Sequence, residues 1–140
     1  MKSFLMKSAA MVLVALVLAG CATTPKKSPE ELIKGQIDGW IAAVVAKDIE
    51  LAGNFYSEKF ENPQWGDKAG VKGFLDQAKS SGYLDGLEVS TAQTEIKVEG
   101  ATAKVYPIDI KGTFGAITME LSFADEGGTW LIVGTEADGI

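Results

Sequence analysis

Proton-transfer chemistry has few candidates in this chain. Its 140 residues include 13 Lys and 19 acids but neither His nor Arg. The commonest general base near neutral pH, which is also the commonest metal ligand, is therefore missing. So is the bidentate guanidinium clamp for phosphate and carboxylate. Cys21 is the sole cysteine, which excludes an intramolecular disulfide and a cysteine-based zinc site. Carboxylates remain. Glu61 precedes Asn62-Pro63, but strand neighbours point to opposite faces. The plain reading there is a solvated acid beside a turn-forming Asn. Asp109 and Glu120 lie within β-rich runs, and either would be desolvated like a functional acid if it turned inward. Parity turns Glu120 outward, because Ile117, Met119, Leu121 and Phe123 share one face and leave Thr118, Glu120 and Ser122 on the other. Asp109 stays ambiguous, because Pro107 interrupts its run. Asp125-Glu126 reads as turn chemistry. No metal, no cofactor and no catalytic residue is expected.

Binding has more to work with. Trp40, Tyr56, Trp65, Tyr106 and Met119 are the large side chains expected near a pocket, where rings and a thioether suit an apolar or planar ligand. Taken singly, each is more simply a core residue.

The elements that must position these groups change period midway. Ser28-Pro29-Glu30-Glu31 is a helix start, with Ser28 as cap, Pro29 at the first position and Glu31 completing a capping box. Ile33, Ile37, Trp40, Ile41, Val44 and Val45 follow at helical spacing. Asp48 opens a short helix with Leu51, Phe55 and Tyr56 on one side. Glu61–Trp65 is expected to be a short strand. Asp67 caps a third helix carrying Val71, Phe74, Leu75 and Ala78, which Gly82 ends. Four β-rich runs follow: Leu87–Val98, Ala101–Lys111, Phe114–Ala124 and Thr129–Glu136. Short turns separate them, so they should pair antiparallel as a meander. Two runs slip parity, from Leu87/Val89 to Ile96/Val98 and from Ala103/Val105 to Ile108/Ile110 across Pro107. A bulge restores a buried face after such a slip, and strongly bent sheets use bulges. The expected fold class is α+β, three helices packed on a strongly curved, mostly antiparallel sheet.

This order resembles the nuclear transport factor 2-like superfamily, which includes the SnoaL and ketosteroid-isomerase-like proteins. Three stretches carry the likeness: Lys47–Ala52 through Phe55-Tyr56-Ser57, Glu61-Asn62-Pro63 leading to Gly70–Phe74, and Gly128–Val133. The resemblance covers about residues 29–137 and implies a cone-shaped fold with a pocket at its wide end. Members include steroid isomerases, polyketide cyclases, dehydratases and non-catalytic binding modules, so fold does not settle function. Isomerase-like members carry a catalytic Asp immediately before the Pro of this turn. Here Asn62 stands there, and an amide cannot accept a substrate proton. The resemblance makes Asn62 a pocket residue rather than a base.

The N-terminus carries an address. Ala9–Gly20 follows two Lys and is 12 apolar or small residues long, short of the roughly 20 that span a bilayer. Leu18-Ala19-Gly20-Cys21 resembles the lipobox of bacterial lipoproteins. The resemblance implies a diacylglycerol thioether on Cys21, cleavage after Gly20 and N-acylation, commonly as palmitate. The chain thus divides into a signal peptide (1–20), a lipidated Cys with a flexible tether (21–27) and one domain (28–140). Loss of Lys2 and Lys7 with the leader leaves 11 Lys against 19 acids, a net −8. That sign argues against nucleic acid and against adhesion to anionic lipid by charge. The expected location is the cell envelope. Ala22, where Asp would favour inner-membrane retention, leans towards the outer membrane.

Three functions fit these residues. The first is a non-catalytic binding module holding a small apolar molecule or peptide in the cone. The second is an assembly lipoprotein using its outer sheet face as an interface with an envelope protein or, as a homodimer, with a second copy. The third is an isomerase- or cyclase-like enzyme. Mass spectrometry of the mature N-terminus should find an acylated Cys21. An unmodified thiol, or Lys2–Gly20 still attached, would refute the lipobox reading.

Overall fold

The computed structural model describes residues 26–139. The expected signal segment, Cys21 and most of the tether lie outside the described residues. Helix α1 spans Pro29–Val45, with the Ser28 hydroxyl accepting from the Glu31 N–H at 3.2 Å. Its apolar stripe buries Ile33, Ile37, Trp40, Ala43 and Val44. Helix α2 is shorter than expected, Ile49–Gly53, capped by Asp48. Its buried face is Ile49 and Ala52, whereas Leu51 is exposed, and Phe55 and Tyr56 lie beyond its end. Helix α3 spans Lys68–Ser80, capped by Asp67, and buries Val71, Leu75 and Ala78. Phe74, expected in the core, is 39% exposed because it sits at the margin of that stripe. It stacks there on Trp65, with ring centroids 4.4 Å apart.

The sheet has five strands: β1 (Glu88–Ser90), β2 (Glu95–Glu99), β3 (Thr102–Gly112), β4 (Gly115–Glu126) and β5 (Thr129–Asp138). All pairing between them is antiparallel. The expected bulge at Pro107 is present as a register shift between Val105 and Ile108, so Ala103, Val105, Ile108 and Ile110 all reach the core. The same residue splits the expected 87–98 run in two. Pro107 has no N–H to donate, so the ladder cannot continue past it. β1 pairs with β3 on one side of the break and β2 on the other, and the Thr94 hydroxyl donates to the Pro107 carbonyl across the gap. A second bulge lies between Ser122 and Phe123, with Val133 as the extra residue of β5.

Glu61–Trp65 is a closed turn, not a strand. The segment before it instead covers the free edge of β5. The Ile132 N–H donates to the Phe55 carbonyl at 2.9 Å, the Ser57 N–H to the Ile132 carbonyl at 2.8 Å and the Glu61 N–H to the Val133 carbonyl at 3.2 Å. The core lies between the helices and the inner sheet face, with Phe60, Leu121, Phe123 and Ile132 fully buried.

Trp130→Ala, which removes a buried ring, should cost about 3–5 kcal/mol in chemical denaturation. Phe74→Ala should cost about 1–2 kcal/mol, reflecting one half-exposed stacked ring.

Candidate functional site

The Asn62 turn is built almost entirely from Asn62 itself. Its N–H donates to the Gly66 carbonyl and its carbonyl accepts from the Gly66 N–H, both at 2.8 Å. Gly66 closes the loop at φ +76, a conformation that favours glycine. The side-chain oxygen accepts from the backbone N–H groups of Gln64 at 2.7 Å and Trp65 at 3.1 Å. The side-chain nitrogen donates to the Thr135 carbonyl at 2.9 Å and to the Thr135 hydroxyl at 3.1 Å. A primary amide offers two donors and one oxygen with two lone pairs. All four capacities are engaged, so Asn62 fastens the turn to β5 and has nothing left for a ligand. The turn then runs directly into α3. A Cβ on Gly70 would come within 1.7 Å of the Trp65 carbonyl oxygen, so only glycine fits there.

An open cleft of about 610 Å³ lies over this turn, lined by Glu61, Asn62, Pro63, Gly66 and Asp67. Glu61 is exposed to solvent. A second groove of about 260 Å³ shares Asp67 and contains Glu58, Lys68 and Lys72. Both its lysines are paired, Lys68 with Glu58 at 3.0 Å and Lys72 with Glu50 at 3.1 Å.

The other pocket candidates separate. Trp40, Tyr56 and Met119 are buried in the core. The Trp40 indole N–H donates to the Tyr56 hydroxyl at 3.0 Å, and Tyr56 meets Phe60 edge to face at 5.1 Å. Burial pushes the Tyr56 hydroxyl well above the usual phenol range, only partly offset by the Trp40 hydrogen bond. Trp65 is half-buried at the turn, and Tyr106 stands 47% exposed on the outer sheet face. The structure thus unites Trp40 with Tyr56, and Asn62 with Trp65, but not Tyr106 with either pair. None of the three cavities described is lined by Trp40, Tyr56 or Met119. Trp40, Tyr56 and Met119 belong instead to one cluster of buried core residues.

Both questioned carboxylates face outward. Asp109 accepts from the Thr118 hydroxyl at 3.0 Å, and Glu120 pairs with Lys104 at 3.1 Å. Among the described residues no group of three or more Cys, Asp or Glu is placed to hold a metal.

Strand parity places Thr118, Glu120, Ser122 and the polar positions of Leu87–Val98 on the outer face, but a cleft in that face has no local sequence signal. A cleft of about 370 Å³ opens on the outer face of the sheet, lined by Lys97, Glu99, Thr102, Lys104, Ser122 and Val133. These residues are scattered along four strands, and only the pairing register and the second bulge bring them together.

Solved structures share this architecture. A Bdellovibrio bacteriovorus protein superposes with a TM-score of 0.66 at 19% identity over 77% of this chain, which spans 40% of that protein's length. A nuclear transport factor 2-like protein of unknown function from Pseudomonas putida gives 0.66 at 15% identity, covering 77% of this chain and 84% of its own. A similar protein of unknown function from Shewanella oneidensis gives 0.62 at 16% identity, covering 80% of this chain and 100% of its own. No family model matches the chain, and no curated protein sequence is significantly similar to it. The fold is therefore nuclear transport factor 2-like, and likeness at this identity carries the fold alone.

Asn62→Ala should destabilise the domain by about 1–3 kcal/mol, because two backbone donors and the Thr135 carbonyl lose their partner. Tyr56→Phe should cost a similar amount, about 1–3 kcal/mol, by stranding the buried Trp40 N–H. Thermal or urea unfolding reads both.

Proposed function

We propose that this chain is a lipid-anchored envelope module that binds without catalysing and works through its surface rather than through an open cone. The anchor is the acylated Cys21. The envelope location and the outer-membrane preference rest on the lipobox resemblance and Ala22. The observation that carries the rest is the engagement of Asn62. Where the resemblance would put a catalytic base, the side chain is an amide whose four hydrogen-bonding capacities are all occupied by the protein. General acid–base catalysis needs a group of suitable pKa within reach of a substrate. Asp109 and Glu120 are instead engaged on the outer face.

Two readings of the binding surface came from the sequence, and the geometry favours the outer sheet face over the cone. Of the residues expected to hold a small apolar molecule inside, Trp40, Tyr56 and Met119 belong to the buried core, while Trp65 stacks on Phe74 at the turn and Tyr106 is exposed on the outer face. The outer face presents exposed Tyr106 and the 370 Å³ cleft.

The native chain should show no turnover of ketosteroid-like substrates, and Asn62→Asp should not create any, since a carboxylate there faces the Thr135 carbonyl. Native turnover abolished by Glu61→Gln would overturn the non-catalytic reading. Cys21→Ser should remove the domain from the membrane fraction while leaving its unfolding midpoint unchanged. Unchanged membrane association would overturn the anchoring.

A further inference from the structure

We propose that the outer-face cleft is a binding site for an aliphatic carboxylate. The argument begins with register. Lys97 of β2 lies directly opposite Lys104 of β3, which lies directly opposite Ser122 of β4. Like charges directly opposite one another weaken a strand pair. Lys104 has relief outside the cleft. Its ammonium pairs with Glu120 at 3.1 Å and feels Glu136 beyond, and the hydrogen bond to Glu120 raises its pKa. Lys97 has no such relief, because among the described residues no carboxylate lies within ion-pair distance of it. The Ser122 hydroxyl likewise has no hydrogen-bond partner among the described residues. The Thr102 hydroxyl is occupied, donating to the Glu99 carbonyl at 3.1 Å. One row across the sheet therefore offers an unpaired ammonium and an unpaired hydroxyl to an incoming oxyanion, which would also screen the repulsion between the lysines.

An unpaired lysine singles out this cleft. The cleft over the Asn62 turn has Glu61 and Asp67 and no lysine. In the groove beside it, Lys68 and Lys72 are already paired. The outer cleft holds Lys97, which has no ion-pair partner among the described residues, beside the Glu120-paired Lys104 and the acid Glu99, in a chain that is acidic overall. Its volume lies in the range of small-molecule sites. Val133, pushed out by the second bulge, forms an apolar wall beside Ser122. A carboxylate with a short hydrocarbon tail matches that combination. A free aliphatic acid and the C-terminus of a peptide ending in an apolar residue share this chemistry.

This assignment deepens the surface-binding reading and can fail independently of it, because lipidation and turnover are read in other assays. The test uses the full chain in detergent and follows backbone amide shifts of Lys97, Ser122 and Val133. Hexanoate and N-acetyl-Ala-Leu are the two probes, with hexanamide and the peptide amide as controls. One or both acids should saturate these shifts at millimolar concentration, and which one does so separates a free acid from a peptide terminus. Lys97→Gln should weaken the binding about tenfold, as expected for loss of a charge-assisted hydrogen bond. Ser122→Ala should weaken it less, and Lys111→Gln, on the same face but outside the cleft, should change nothing. Absence of saturation by both acids, equal binding of the amides, or unaltered affinity in Lys97→Gln would overturn the site.

Discussion

The arrangement of this domain depends on how the free edge of β5 is closed. A long terminal strand would otherwise present a row of unpaired backbone groups. The chain leaving α2 supplies the missing partner. Phe55 and Ser57 pair with Ile132, Glu61 pairs with Val133, and the Asn62 amide reaches Thr135. Pairing at Ile132 places Tyr56 where its hydroxyl meets the Trp40 indole, which ties α1 to the sheet through a buried hydrogen bond. The Asn62 turn then delivers the chain to Asp67 and starts α3. Three helices are thus positioned by one strip of backbone against one strand.

The opposite side of the sheet is governed by Pro107. A residue without an N–H interrupts the ladder in the middle of β3. The two short strands beside it are a consequence, since neither can extend past the break. The bulge also lets the buried parity change from Ala103/Val105 to Ile108/Ile110 without exposing either pair. Curvature, edge protection and a continuous core face therefore share one local cause. The second bulge, at Ser122/Phe123, acts similarly between β4 and β5 and shapes the outer cleft.

These two constraints account for where chemistry is and is not available. The inner face of the sheet is committed to packing, and its polar exceptions are few and engaged. Tyr56 is held by Trp40, and Asn62 is bound to the backbone on both sides. Free donors occur where packing makes no demand, on the outer face. There the antiparallel register sets charges side by side without regard to their sign, as at Lys97 and Lys104. A like-charged pair of this kind is a local cost that binding of an opposite charge removes.

Much of this was legible in the sequence wherever the signal was local. Ser28, Asp48 and Asp67 cap their helices as their types and positions implied, because an N-cap acts on backbone only a few residues away. The parity slip located the Pro107 bulge, because alternation is a property of a single strand. Absence of His and Arg bounded the chemistry, because composition needs no coordinates. Long-range placement was decided by the tertiary structure. Phe74 and Tyr106 look like core residues by type, yet the margin of a helix stripe and the outer face of a strand leave them exposed. Glu61–Trp65 has strand composition, but Asn62 closes it into a turn through Gln64, Trp65 and Gly66, and its amide nitrogen fastens that turn to Thr135, 73 positions away. Whether the cone is open or filled, and which lysines face one another, depends on packing and register between distant segments, and no local pattern carries that information.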